Sequence, residues 1–313
     1  MIKVASDSGA DAVKFQTYRS ESVYALKAGK SKYLLEQGVN ENINDLFDKF
    51  SMPYDMIPKL SEYCQKEKIL FMSTPFSVED AKRIDPYVSI HKIASYEINH
   101  VRLLEFLANT NKPIILSTGA STFDKIDFAM EILKKQVKKI GILQCTSKYP
   151  ASFESLNLNV IPNLKSRYGV AVGLSDHSID PVIAPLVGIG LGATIIEKHF
   201  TLDRNLPGPD HAFALTPNEL KLMIDSIRKS DLAKGTGKKE ILEEEKELHR
   251  FATRSIQAIA KIKKGEILKE GKNFEILRPG EQTRGLDAKF LNQVNGKRSV
   301  KDIDVGEGIT DFI

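Results

Sequence analysis

Between residues 12 and 200 the chain repeats one pattern: a short apolar run with β character, then a helix-length amphipathic stretch. The runs fall at 12–17, 69–74, 89–95, 113–118, 140–146, 170–175 and 194–200. Each reads as apolar without alternation, as expected of parallel strands covered by helices outside and packed side chains inside. The intervening stretches carry helical periodicity. In 53–68, Met56, Ile57, Leu60, Tyr63 and Cys64 share a face; in 123–137, Ile126, Ala129, Met130, Leu133 and Val137 do.

Such alternation predicts an α/β fold built on a parallel sheet. Seven strands are one short of a (β/α)8 TIM barrel, and the chain opens on helix-like residues 2–8 rather than a strand. The expectation is a TIM barrel whose first strand is missing from this chain, in preference to a smaller open sheet. With 313 residues there is room for a barrel and a small appendage.

Around residues 230–250 the character changes. Lys234-Gly-Thr-Gly-Lys-Lys is a polar patch, and the acid-rich 240–247 follows it. The sequence beyond is turn-rich and β-like. It holds two similar passages, Ile262-Lys-Lys-Gly-Glu-Ile-Leu and Ile303-Asp-Val-Gly-Glu-Gly-Ile, each expected to turn at its Gly-Glu. The expected organisation is a catalytic barrel over 1–232, a linker over 233–250 and a small β domain over 251–313.

Composition narrows the classes of function. An apolar share of 42% supports a sizeable core, and no apolar run reaches the roughly 18 residues of a membrane span. The start has no signal-peptide architecture. Cys64 and Cys145 lack metal-ligand spacing and read as buried free thiols, which suits the reducing cytoplasm. The net charge of +4 comes with scattered lysines, no tryptophan and no basic stripe interleaved with aromatics. Neither nucleic acid nor membrane is an expected partner; a small anionic ligand is.

In barrels, reacting groups stand at the carboxyl ends of strands. The polar residues there are Lys14 and Gln16, then Ser73 and Thr74, then Lys92, Ser95 and Glu97, then Ser117 and Thr118. Thr146, Ser147, Lys148 and Tyr149 follow, and finally Ser175, His177 and His199, with Asp210 in the loop beyond. Two lysines among hydroxyls from four strand ends suit a phosphate. His177 and His199 end successive strands, so a parallel sheet would set them side by side. With a nearby carboxylate they suit a catalytic divalent ion that keeps open positions. A lone strand-end histidine is more often a hydrogen-bonded core residue; the coincidence of all these groups on one rim singles this pair out. His91 points to the opposite face of its strand and reads as structural, and His100 and His249 as surface residues. His211 reads either as a support for the site or as a bystander.

At these residues the chain resembles the sialic acid synthase family, the bacterial N-acetylneuraminate synthases and their close relatives. The matching segments run in order through Gly9-Ala-Asp-Ala-Val-Lys-Phe-Gln, Ser73-Thr-Pro-Phe, Lys92-Ile-Ala-Ser-Tyr-Glu, Leu116-Ser-Thr-Gly and Gln144-Cys-Thr-Ser-Lys-Tyr-Pro. They continue through Gly173-Leu-Ser-Asp-His, Glu197-Lys-His-Phe-Thr and Pro207-Gly-Pro-Asp-His. The C-terminal part resembles that family's antifreeze-like β-clip (SAF) domain, with Leu277-Arg-Pro-Gly as its landmark.

The resemblance implies condensation of phosphoenolpyruvate with an N-acetylmannosamine-type aldehyde sugar, giving a nine-carbon 2-keto acid and phosphate. Carried onto matching positions, Lys14, Thr74, Lys92, Ser95, Ser117, Ser147 and Ser175 would hold phosphoenolpyruvate. His177 and His199 would ligate Mn²⁺ or Mg²⁺, and Gln16, Tyr149 and Asp210 would position the sugar. Glu97 would lie near the reacting carbons; with Lys92 and the two histidines it forms the expected catalytic set. Ser147 stands where relatives often have Asn. Arg278, in the partner subunit's small domain, would reach the sugar's N-acetyl group, which implies a domain-swapped homodimer.

The family's opening strand, ending near an Ala-Glu-Ile/Ala-Gly-x-Asn-His-Asn-Gly motif with an active-site Glu, has no counterpart here. A shortened chain or a misplaced start is the expectation, and about 25 upstream residues, one βα unit, would supply the strand. Three alternatives stay open. One is a synthase of legionaminic acid, or less readily of pseudaminic acid given Pro207-Gly-Pro-Asp-His, acting on a diacetamido-trideoxy hexose. Another is a sugar-phosphate synthase on the same barrel, disfavoured by the appended domain. The third is a non-catalytic sugar- or phosphate-binding remnant.

Overall fold

The structure, a computed structural model, describes residues 1–36 and 39–313, leaving aside the side chains of Tyr33 and Glu36. It divides into two units, Met1–Gly235 and Thr236–Ile313.

All seven expected runs of the first unit contain strands: β1 (Ala12–Thr17), β2 (Leu70–Pro75), β3 (His91–Ile93), β4 (Ile114–Ser117), β5 (Ile140–Cys145), β6 (Ala171–Asp176) and β7 (Ile195–Lys198). β1 pairs with β2, and β3 through β7 pair in chain order, every pair parallel. Helix-length crossovers are what allow sequence neighbours to run parallel. The result is a parallel-stranded half-barrel.

Register decides which residues face where. Ile93, Leu116, Ile142 and Val172 share the outward face, where they are fully buried with Leu103, Leu107, Met130, Leu133 and Leu164 of the surrounding helices. Full burial of such a side chain is worth about 1.5–3 kcal/mol, so this layer holds the strands to their helices. On the inward face, Ile115, Gly141, Leu143, Gly173 and Ile195 form a layer. A Cβ on Gly173 would stand 2.2 Å from the Ile195 carbonyl oxygen, so only glycine admits that approach of β6 to β7.

A second core joins the two ends of the array. Val13 and Phe15 of β1 and Phe71 of β2 pack with Ile196 and Phe200 at β7, and with Leu220, Met223 and Ile224 of the helix Pro217–Ala233. That helix starts on a capping box, Thr216 with Glu219. Its Arg228 grips the Asp11 carboxylate at 2.6 and 2.7 Å, just ahead of β1.

The structure adjusts three expectations. β3 is shorter than 89–95: its ladder ends at Ile93, and Ser95–Glu97 form a 3-10 turn closed by the Glu97 N–H donating to the Ala94 carbonyl. Ser95 therefore reaches the rim from a turn, not a strand. His100 and His249 are not free surface groups. His100 caps the helix Val101–Asn109 by accepting from the Leu103 N–H, and His249 Nδ1 lies 3.2 Å from Thr253 Oγ1. His91 is fully buried, 2.9 Å from Asp85 Oδ1, in a structural role.

In the second unit β8 (Ser255–Ala258) pairs antiparallel with β9 (Phe274–Leu277). Its core is Ile256, Ala258, Ile262, Leu268, Phe274, Val294, Ile303 and Ile309. The two similar passages pair with each other: Ile262 bridges Ile303, and each turn places its glycine at positive φ, +85° at Gly265 and +90° at Gly306. That left-handed conformation is cheap only for glycine. The acid-rich stretch leads into an exposed short helix, Lys246–Ala252. Among the described residues no helix is long and apolar enough to cross a membrane.

Candidate active site

Counting along the inward face from the apolar layer toward the carboxyl ends gives Ser117 on β4, Cys145 on β5, Ser175 on β6 and Glu197 on β7, with Lys92 on β3 pointing the same way. Lys92 is 2% exposed, and its Nζ donates to Ser117 Oγ at 2.6 Å and to the Ile93 carbonyl at 2.9 Å. Burial pushes its ammonium down to about 8, and the neighbouring Lys14 adds to that against the pull of Glu197, whose Oε1 stands 3.8 Å away.

Glu197 completes a charged layer that strand-end reading missed. Ser175 Oγ donates to its Oε1 at 2.9 Å. Loss of solvent would raise its pKa, but the Lys14 and Lys92 charges and the Ser175 bond outweigh that and bring it to about 2. Period-two counting back from His199 would have found it.

Beside this layer is a niche shaped by Gly119. Its N–H donates to Ser95 Oγ at 2.9 Å. A Cβ there would sit 2.2 Å from Ser147 Oγ, 2.9 Å from Cys145 Sγ and 3.0 Å from Ser95 Oγ. Ser147 Oγ and Thr74 Oγ1 are both buried with no hydrogen-bond partner among the described residues. A buried hydroxyl without a partner costs free energy, which a ligand's oxygen would relieve. Thr74 stands in register with Gln16, whose side of β1 also carries Lys14; Gln16 is exposed at the rim.

The two histidines lie where their strands end, with ring centroids 5.2 Å apart. His177 Nδ1 is 2.9 Å from the Thr146 carbonyl, so it carries the proton and donates, leaving Nε2 with a lone pair. Thr146 is itself held by its hydroxyl donating to the Ser155 carbonyl at 2.8 Å. His199 Nδ1 is 3.6 Å from Asp210 Oδ2, and burial lowers its pKa against that carboxylate's pull. Tyr149 covers the pair, its ring centroid 4.4 Å from His177 and 6.3 Å from His199, and Phe213 packs against Tyr149 and His199 at 5.5 and 5.1 Å. His211 supports the turn beyond, its Nδ1 2.7 Å from Thr201 Oγ1.

Among the described residues no three His, Cys, Asp or Glu side chains form a ready metal cage. Two neighbouring imidazoles, that of His177 oriented by the Thr146 carbonyl, with the Asp210 carboxylate close to His199, fit a divalent ion that takes its remaining ligands from substrate and water. Glu97 is half-buried in its turn, and burial raises its carboxyl to about 7. Cys64 and Cys145 are both buried free thiols, as expected; the Cys145 sulfur is 3.8 Å from His177 Nδ1. Burial would push that thiol up, but the contact with His177 brings it below its ordinary value. Burial pushes the Cys64 thiol up to about 11. Arg278 belongs to the second unit, exposed just past β9.

Residues 1–239 match the NeuB family. The chain belongs to that family. It is 39% identical to the spore coat polysaccharide biosynthesis protein SpsE of Bacillus subtilis, over 99% of this chain and 87% of that one. It is 38% identical to a pseudaminic acid synthase of Campylobacter jejuni (98% and 89% covered) and 37% identical to an N,N'-diacetyllegionaminic acid synthase of the same species (96% and 90%). The crystal structure of the N-acetylneuraminic acid (sialic acid) synthetase of Leptospira borgpetersenii superposes with a TM-score of 0.70 at 34% identity, covering 79% of this chain and 82% of that one. Its relatives thus include sugar-acid synthases, and its parallel-stranded α/β fold matches the structure of one of them. Pseudaminic acid synthases stand as near to this chain in overall identity as legionaminic ones.

Proposed function

We propose that this protein condenses phosphoenolpyruvate with an acetamido sugar aldehyde and water, releasing phosphate and a nine-carbon 2-keto sugar acid. The supporting observation is that the Lys92–Ser117 pair, the niche around Gly119 and the His177–His199 pair converge at one carboxyl edge. Lys14 and Lys92 neutralise phosphate charge, and Thr74, Ser95, Ser147 and Ser175 offer hydroxyls to its oxygens and to the carboxylate. His177 and His199 hold Mn²⁺ or Mg²⁺, with Tyr149, Asp210 and Gln16 placed to orient the sugar.

The reaction joins C3 of phosphoenolpyruvate to the aldehyde carbon, and water adds at C2 before the C–O bond to phosphate breaks. When bound, the divalent ion supplies Lewis-acid polarisation of the aldehyde oxygen. The buried Lys92 and the half-buried Lys14 balance the charge that collects on the leaving phosphate. Glu97, with its carboxyl near neutrality, can take and return a proton at working pH.

The relatives' names favour a diacetamido-trideoxy hexose at least as strongly as N-acetylmannosamine. Phosphate release measured with a panel of acetamido sugars separates them. Release with none of the sugars would support the binding-remnant reading instead. Arg278, delivered by the partner's small domain in a cytoplasmic homodimer, completes the proposal.

A further inference from the structure

The last rung of the β6–β7 ladder is a buried ion pair. Asp176 and Lys198 are register partners on the outward face, their side chains 0% and 2% exposed, and the next residue of each strand is one of the two histidines. Lys198 Nζ stands 2.5 Å from Asp176 Oδ2 and also reaches the Ser178 carbonyl, Ser178 Oγ at 3.2 Å and the Asp180 carbonyl at 3.2 Å. Asp176 in turn accepts from the Ser178 N–H at 2.8 Å and the Ser178 hydroxyl at 2.9 Å. One ammonium from β7 therefore grips both the end of β6 and the loop that follows His177.

Stability alone is a poor reason for such a pair, because apolar residues of similar volume usually serve a core as well or better. What it does supply is geometry. The β6–β7 hydrogen bonds end at this rung. Beyond it each chain is tied to a different neighbour, the His177 carbonyl accepting from the Ala151 N–H and the His199 carbonyl from the Leu215 N–H, while the clamp ties the two chains directly to each other. We propose that Asp176, Lys198 and Ser178 are positioning residues that set the separation of the His177 and His199 imidazoles, and so the affinity of that pair for a divalent ion. The inference rests on the metal-binding reading of the two histidines.

The test titrates Mn²⁺ alone into the full chain, following the free ion by electron paramagnetic resonance, with circular dichroism to verify folding. The double variant Asp176→Leu/Lys198→Met removes both charges together and leaves no unpaired ion in the core. It is expected to stay folded and to bind Mn²⁺ about tenfold more weakly, as loss of supporting contacts around metal ligands typically does. Its affinity for inorganic phosphate in metal-free buffer should stay within about twofold of wild type, because Lys14, Lys92, Ser117 and the niche around Gly119 lie off β6 and β7, which contribute only Ser175 to the anion's expected partners; a general loosening of the fold would weaken both. Should the double variant not fold, Ser178→Ala decides, with a severalfold loss of Mn²⁺ affinity expected. A folded variant that binds Mn²⁺ as wild type does overturns the clamp alone. A wild-type chain that binds no Mn²⁺, like its His177→Ala variant, overturns the metal reading and the clamp together.

Discussion

Lys92 is a cation held where cations are costly. Its ammonium, brought down to about 8 by burial, loses charge as pH rises through that value. A bound phosphate would restore the charge, so binding near pH 8.5 should take up a proton, visible by calorimetry in buffers of different ionisation enthalpy. Lys92→Met should abolish the uptake and weaken phosphate binding by about tenfold or more, the range for a charge-assisted hydrogen bond. Glu97 titrates in the opposite sense. Its folded-state pKa of about 7 lies above the ordinary value of 4.5, so the unfolded chain ionises it first and stability falls as pH climbs between them. Glu97→Gln should remove a limb near pH 7 from the kcat/KM profile and lower the rate by about 10²–10⁴-fold. At pH 8 the variant should also melt no lower than wild type. A retained limb would assign that proton elsewhere.

The half-barrel shows which parts of an element the sequence displays and which it hides. Apolar runs located all seven parallel strands, because burial on both faces marks each strand within its own residues. The rim hydroxyls, lysines and histidines were legible for the same reason: each lies at the end of a recognisable run. Glu197, Cys145 and the Asp176–Lys198 rung were not, because their meaning depends on register between strands, and no single strand encodes its neighbour's offset. Gly119 and Gly173 were equally silent, since the approach each permits involves atoms of other elements. Two substitutions test them. Gly173→Ala should cost about 3 kcal/mol, the upper end for overpacking, because the new methyl would meet backbone; thermal unfolding would show it. Gly119→Ala meets only side-chain ends, so the fold should survive while phosphate affinity drops about tenfold or more, a loss of roughly 1.4 kcal/mol or greater. Unchanged phosphate binding in that variant would move the anion site away from the niche.

At the scale of the whole molecule, two ligand chemistries share one edge of a parallel array: cations and hydroxyls on β1 through β6, imidazoles at the ends of β6 and β7. A cradle for phosphate beside a Lewis-acid site is what a reaction needs when it must hold an enol phosphate and polarise an aldehyde together. Neither half accounts for the other's presence. The most direct test is a single assay, phosphate released from phosphoenolpyruvate in the presence of an acetamido hexose and Mn²⁺. Release should require both the sugar and the metal, stop on chelation, return with added Mn²⁺, and vanish in His177→Ala and His199→Ala. Release that persists undiminished after chelation, or in either histidine variant, would contradict a metal held between those two imidazoles.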